Sequence, residues 1–139
     1  MTKPVPTVRP EGEPAIRAIA MPKDTNTAGD IFGGWLMSQM DMAAGNAAYR
    51  LARGRCATVA VDAMTFVQPV HVGDEVTVWA NLIGTGRTSM KFNVSAWRRP
   101  RDGDEMMCVT HAIFTFVALD ENGRPRPVHS HAGPVTREV

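Results

Sequence analysis

A chain of 139 residues is long enough to bury one substantial hydrophobic core and short for two. With 44% apolar residues, 21% charged residues and a formal charge of +1, it lacks the concentrated basic face of a general nucleic-acid binder. No apolar run reaches transmembrane length, so membrane insertion is not expected.

Residues 1–14 carry Lys3 and Arg9 but also Pro4, Pro6, Pro10 and Pro14, and no apolar h-region, so a loose tail is predicted rather than a signal peptide. Ala15 to Ala20 is a short apolar run ended by Met21-Pro22, as in a first edge strand. A polar, glycine-dense turn from Asn26 to Gly34 then feeds a helical pattern from Trp35 to Leu51. At about 100° per residue, Leu36, Met37, Met40, Ala43, Ala44, Ala47, Ala48 and Leu51 occupy roughly 140° of the wheel, the arc a helix needs to pack on a sheet. Gly54 is the expected C-terminal stop.

Cys56 to Val67 reads with period two: Ala57, Val59, Val61, Ala63 and Val67 on one face, Thr58, Asp62, Met64 and Phe66 on the other, with Pro69 as terminator. Strands follow from Val76 to Ile83, from about Thr88 to Arg98 and from Met107 to Leu119, separated by Gly73-Asp74, Gly84-Thr85-Gly86 and the polar turn at residues 100–104. Residues 121–139 are rich in Pro, Gly and His and are expected to be an irregular tail, leaving 15–120 as the domain. Successive strands without intervening helices imply an antiparallel sheet. One helix covers one face of it, while several strands are apolar on both sides, so a second copy of the chain is expected to cover the rest.

Cys56 and Cys108 show neither CxxC nor metal-ligand spacing, which predicts reduced, buried thiols and a reducing, cytoplasmic setting. The four histidines form no metal constellation: His111 sits mid-strand, and His71, His129 and His131 fall in loops or the tail.

Asp41 lies about 20° from Ala48 on the wheel, at the margin of the apolar arc. It is either a boundary aspartate bonded to nearby backbone, or a general base or nucleophile acting on a carbonyl held above the helix start. Asn26 either closes an Asx-turn before Gly29 or orients a carbonyl or water. Asp30 is expected as the N-cap. Gly33 and Gly34 are packing glycines, or allow the close backbone approach of an oxyanion hole, with the N–H of Gly34 or Trp35 as donor. Asp41 lies roughly 11 Å along the axis from the glycine pair, too far for one chain to bring both to a single substrate atom. A dimer resolves the distance by pairing Asp41 of one subunit with the turn of the other.

The run from Met21-Pro22 through Asp24-Thr25-Asn26, Gly29-Asp30-Ile31-Phe32-Gly33-Gly34-Trp35-Leu36-Met37-Ser38-Gln39-Met40-Asp41, then Thr58-Val59-Ala60-Val61-Asp62 and Phe66 with Pro69-Val70, resembles the short-chain acyl-CoA thioesterases of the hotdog superfamily, YciA-like subgroup. The resemblance spans about residues 16–118. It implies an α+β hotdog fold, a long central helix packed against a curved antiparallel sheet. It also implies homodimers with active sites between subunits, often built into a trimer of dimers. Asp41 corresponds to the family's acid, Asn26 to its turn asparagine and Gly33 to its oxyanion glycine. Some relatives have a serine before the Val-Asp pair and a histidine before the glycine pair; this chain has Ala60 and Phe32. Hydroxyl assistance would then come from elsewhere, with Thr58 the candidate.

Arg87, Thr88, Ser89 and Lys91 open one strand and Arg98 and Arg99 close it. These residues either blunt a sheet edge or hold the phosphates of coenzyme A. In related enzymes the Gly-Arg-x-Ser segment borders the CoA site, which favours Arg87 and Ser89 over Lys91, Arg98 and Arg99. The expected activity is hydrolysis of acyl-CoA to a carboxylic acid and CoA, with CoA entering only as part of the substrate and no metal required. The competing readings are a non-catalytic acyl-CoA binding or regulatory module, a structural oligomer, and a thioesterase acting on carrier-bound acyl groups.

Overall fold

The computed structural model describes residues 5–130. His131 and the other residues of 131–139 lie outside the described part, as do residues 1–4. The elements are β1 (Ile16–Ile19), a 3-10 turn (Pro22–Asp24), α1 (Gly33–Ala52), β2 (Cys56–Asp62), β3 (Glu75–Thr85), β4 (Ser89–Arg99) and β5 (Met107–Ala118). The five strands make one antiparallel sheet in the order β1-β3-β4-β5-β2, with β2 at one edge and β1 at the other. The sheet curves around α1 in the hotdog arrangement, as the family resemblance implies.

Helix and sheet meet over a nearly continuous seam. Leu36, Met40, Ala43, Ala44, Ala48 and Ala52 are buried, facing Val76 and Val78 of β3, Met90, Phe92, Val94 and Ala96 of β4, and Ala112, Phe114, Phe116 and Ala118 of β5. Four alanines in this seam let the helix sit close on the strands, and a Cβ on Gly45 would come within 3.6 Å of the Phe116 ring. Period-two alternation puts Ser89, Lys91 and Asn93 on the opposite, outer face of β4. There Trp79, Trp97 and Cys108 form a smaller cluster partly covered by Val5 and Met106, and Trp79 Nε1 donates to Gly12 O at 3.0 Å.

The buried arc is narrower than the wheel predicts, because Met37 is exposed. The helix stop also differs from expectation. The left-handed residue is Arg53 (φ 57°), whereas Gly54 serves close approach. A Cβ on Gly54 would lie 2.8 Å from Nη2 of Arg126, the atom that donates to Ala52 O at 2.8 Å and satisfies a last-turn carbonyl. Beyond β5, residues 119–130 are held by a Leu119–Pro125 bridge and by Val128, which is buried in the core.

The largest departure is at β2. The strand ends at Asp62, where Ala63 adopts φ 49°, and does not continue to Val67. The register also slips between Thr58 and Ala60, so Val59 bulges out of the ladder. One extra residue reverses the facing of everything after it: Thr58 and Val61 lie opposite Phe116 and Phe114 on the helix side, and Asp62 lies opposite Ile113 on the outer side. The following segment folds across the start of β5. Val67 N donates to Val109 O at 2.9 Å, and Thr110 Oγ1 donates to Thr65 O at 2.7 Å.

Candidate active site

The turn before the helix is a compact hydrogen-bonded loop. Asn26 Oδ1 accepts from Ala28 N at 2.9 Å and Asp30 N at 3.1 Å, while Asn26 N donates to Asp30 O at 2.7 Å. The Asx-turn is therefore present, and because it uses only the carbonyl oxygen it leaves the Nδ2 donors available. Two further bonds fasten the loop to its surroundings, Phe32 N to Asp24 O and Ile31 N to Val70 O, both at 3.0 Å.

Asp30 is not the N-cap. Ile31 bridges Thr25 in extended backbone, so the helix cannot begin until after Phe32, which takes the cap position without a side-chain bond. The Asp30 carboxylate instead faces His71 Nε2 at 3.8 Å. At the helix start Trp35 N already donates to Phe32 O at 3.1 Å, which removes it from the oxyanion candidates. Gly33 and Gly34, the first two helical residues, have no preceding turn of helix to accept their N–H groups. A Cβ on Gly33 would touch the Phe66 ring at 3.4 Å, whereas one on Gly34 would meet nothing within 4 Å. Packing thus explains Gly33 in part and Gly34 not at all; what Gly34 preserves is open space above a helix N-terminus.

Asp41 lies two turns further along α1, on the surface of the protomer. Thr58 Oγ1 on β2 donates to its Oδ1 at 2.6 Å. The bond forms because the Val59 bulge follows Thr58 and so leaves it on the helix side. It fixes the carboxylate and leaves Oδ2 without a partner among the described residues. Eight residues of continuous helix separate Asp41 from Gly33, about 12 Å. The two halves of the expected site therefore do not meet within one chain.

Of the basic residues, Arg87 and Lys91 are exposed, and Thr88 and Ser89 are half-buried at the β3–β4 turn. The backbone there is well anchored: Gly86 N donates to Ser89 O, Ala118 N to Thr88 O and Val128 N to Arg87 O, each at 2.9 Å. Arg98 and Arg99 have other partners at the far end of β4. Arg98 Nε pairs with Asp74 Oδ2 at 2.8 Å and its Nη1 donates to Gln68 Oε1 at 3.3 Å. Arg99 pairs with Glu75 at 3.4 Å and donates to the carbonyls of Pro100 and Gly103. Their guanidinium groups tie the sheet to its loops, which removes the reason to assign them to a CoA phosphate. Nor do the thiols show a catalytic profile: burial raises the Cys56 pKa and pushes that of Cys108 up to about 11.

A cavity of about 210 Å³ opens beside Gly33, lined by Ile31, Phe32, Leu36, Phe66, Val70 and Val109 among others. The strand assigned to Phe66 from sequence hid this residue, since only the turn at Ala63 swings it back to the helix start. A second cavity of about 230 Å³, between Asp62, Asn93 and His111, lies on the outer face of the sheet, away from the glycine turn.

Residues 28–105, more than half of the chain, match the family model of the thioesterase superfamily. An acyl-CoA thioester hydrolase of Zymomonas mobilis, itself uncharacterised, is 54% identical over 116 residues, covering 84% of this chain and 78% of the relative. This chain belongs to the YciA-like acyl-CoA thioesterases. The Escherichia coli acyl-CoA thioester hydrolase YciA is 44% identical over 84% of this chain and 91% of its own length. The hexameric thioesterase y2039 of Yersinia pestis superposes with a TM-score of 0.82 at 48% identity, over 88% of this chain and 100% of that one. Family membership places this thioesterase among enzymes rather than binding modules.

Proposed function

We propose that this enzyme, which hydrolyses acyl-CoA to a free acid and CoA, builds each active site from two copies of the chain. Asn26, Gly33 and Gly34 come from one copy, and Asp41 with Thr58 from the other. The observation that carries this reading is the 2.6 Å bond from Thr58 to Asp41, which sets a half-finished carboxylate site at the free edge of the sheet. Val59 is 56% exposed and Val61 40% at that same edge. Such an apolar, unpaired edge strand is closed by a two-fold copy, which extends the sheet and carries each Asp41 toward the partner's helix start. Three such dimers give a hexamer, the assembly of the Yersinia relative.

In this site the thioester carbonyl oxygen points at the N–H groups of Gly33 and Gly34, and the Asn26 amide orients the carbonyl or the water. Asp41 Oδ2 takes a proton as water adds to the carbonyl carbon. The oxyanion formed is held by the helix-start donors, the C–S bond breaks, and the CoA thiolate receives the proton. Direct attack by Oδ2 through a mixed anhydride is the competing route. Single turnover in H₂¹⁸O tests for the anhydride: the water route labels the product acid at once, whereas water attack on the Asp41 carboxyl carbon of an anhydride releases an acid carrying an unlabelled Asp41 oxygen and leaves the label on Asp41, so label on Asp41 establishes the anhydride route. Arg87, Thr88, Ser89 and Lys91 are the residues we assign to the CoA phosphates, Arg87 and Ser89 foremost. No described helix is long and apolar enough to cross a membrane, and with two free thiols we place the enzyme in the cytoplasm.

The shared site is tested by mixing inactive subunits. N26A and D41A each remove activity alone. Co-expressed, they restore roughly a quarter of wild-type turnover, since half of randomly formed dimers carry one intact site out of two. No recovery in verified mixed dimers places both halves in one chain and refutes the reading.

A further inference from the structure

We propose that the 210 Å³ cavity beside Gly33 receives the acyl chain of the substrate, and that Phe66 at its mouth sets the chain length this enzyme prefers. The inference rests on the hydrolase reading and adds a location and a size limit to it. The cavity adjoins the glycine whose N–H faces the thioester oxygen, so a carbonyl placed there has its acyl carbon at the opening. Its deep wall is apolar: Leu36, Val70, Val109 and Ile31 are all buried.

Among the described residues Gln68 is the one polar side chain lining it, and its Oε1 already accepts from Arg98. A pantetheine arm carries two amides that would lose water without gaining partners in such a space. A hydrocarbon chain has no such cost. Phe32 and Phe66 are half-exposed at the mouth, and the Phe66 ring lies beside Gly33, 3.4 Å from where a Cβ would stand. An apolar cavity of about 150 Å³ accommodates a benzene ring, so one of about 210 Å³ has room for a chain of about eight carbons.

The test is kcat/KM for saturated acyl-CoAs from acetyl to dodecanoyl, on the wild type and on two variants of opposite effect. For the wild type, kcat/KM should climb about fourfold per added methylene until the cavity is full near octanoyl, then level or fall. F66A opens the mouth and should raise the dodecanoyl-to-butyryl ratio by about tenfold or more. V109I adds a methylene to the deep wall and should lower octanoyl about tenfold while acetyl stays near wild type. V109I keeps the β-branch and the apolar character of the position, so the question is answered even if F66A fails to fold. Unchanged chain-length profiles in folded variants overturn the assignment. So does an equal loss across all chain lengths with weaker inhibition by free CoA, which would put the pantetheine arm in the cavity. A wild type that hydrolyses no acyl-CoA would instead sink the hydrolase reading itself.

Discussion

Asp41 and Asp74 are the same residue in two opposite states of completion. Asp74 is 4% exposed, and its Oδ2 receives both the Arg98 Nε–H at 2.8 Å and the His71 backbone N–H at 2.9 Å. Asp41 is exposed in the protomer and holds one hydroxyl, on one oxygen. A buried carboxylate paired with a guanidinium inside the fold supports the fold. An exposed one that holds a single hydroxyl at a free sheet edge is positioned for something the single chain does not contain.

The largest expected effect breaks Asp41. D41A should lower kcat by about 10² to 10⁴, the range for losing a general base, with the melting temperature and oligomeric state unchanged. If the variant hydrolyses acyl-CoA like the parent, the assignment of the acid is wrong. D74A should show the reverse. Removing one partner of a buried pair strands the Arg98 guanidinium, at a cost of about 3 kcal/mol and a Tm drop of about 10 °C. Its activity per folded molecule should fall far less than that of D41A. A D74A protein that melts like wild type but is inactive would reverse the contrast.

The contrast also shows which parts of the molecule were legible in the sequence. The helix and sheet were, because Leu36, Met40, Ala43 and Ala44 repeat at the helical period and β3, β4 and β5 alternate at period two. Asp41, Asn26 and the glycine pair stood out because an acid and a glycine turn are unusual around an otherwise apolar helix. Pairings between distant residues were not legible. Arg98 and Arg99 look like Arg87 until Asp74 and Glu75, 24 residues back, arrive across the sheet. The end of β2 was misplaced because a bulge at Val59 and a left-handed Ala63 leave no mark on an alternating apolar pattern. That slip concealed Phe66 beside Gly33 and obscured which way Thr58 points.

Thr58 sharpens the comparison on the Asp41 side. T58V keeps the side-chain shape and deletes one charge-assisted hydrogen bond, worth about 1.5–3 kcal/mol, so kcat should fall about 10- to 100-fold. KM should change little, and T58S should recover most of the rate. A T58V enzyme at full rate would mean that the 2.6 Å bond is incidental to turnover.

Thr77 makes the same point from the interior and carries the smallest effect. Its side chain is fully buried in β3, and among the described residues its Oγ1 has no hydrogen-bond partner. Unlike Thr58, it offers its hydroxyl to none of them, and a buried unsatisfied group costs about 1–3 kcal/mol. Replacing the hydroxyl by a methyl of similar size removes that cost without opening a cavity, so T77V should be more stable than wild type by about 1 kcal/mol, or about 3 °C in Tm. Turnover should be unaffected, because Thr77 lies opposite Trp97 on the outer face of the sheet, away from α1. A fall in Tm of similar size would show that the hydroxyl is bonded in solution, and Thr77 would then belong with the completed groups such as Asp74.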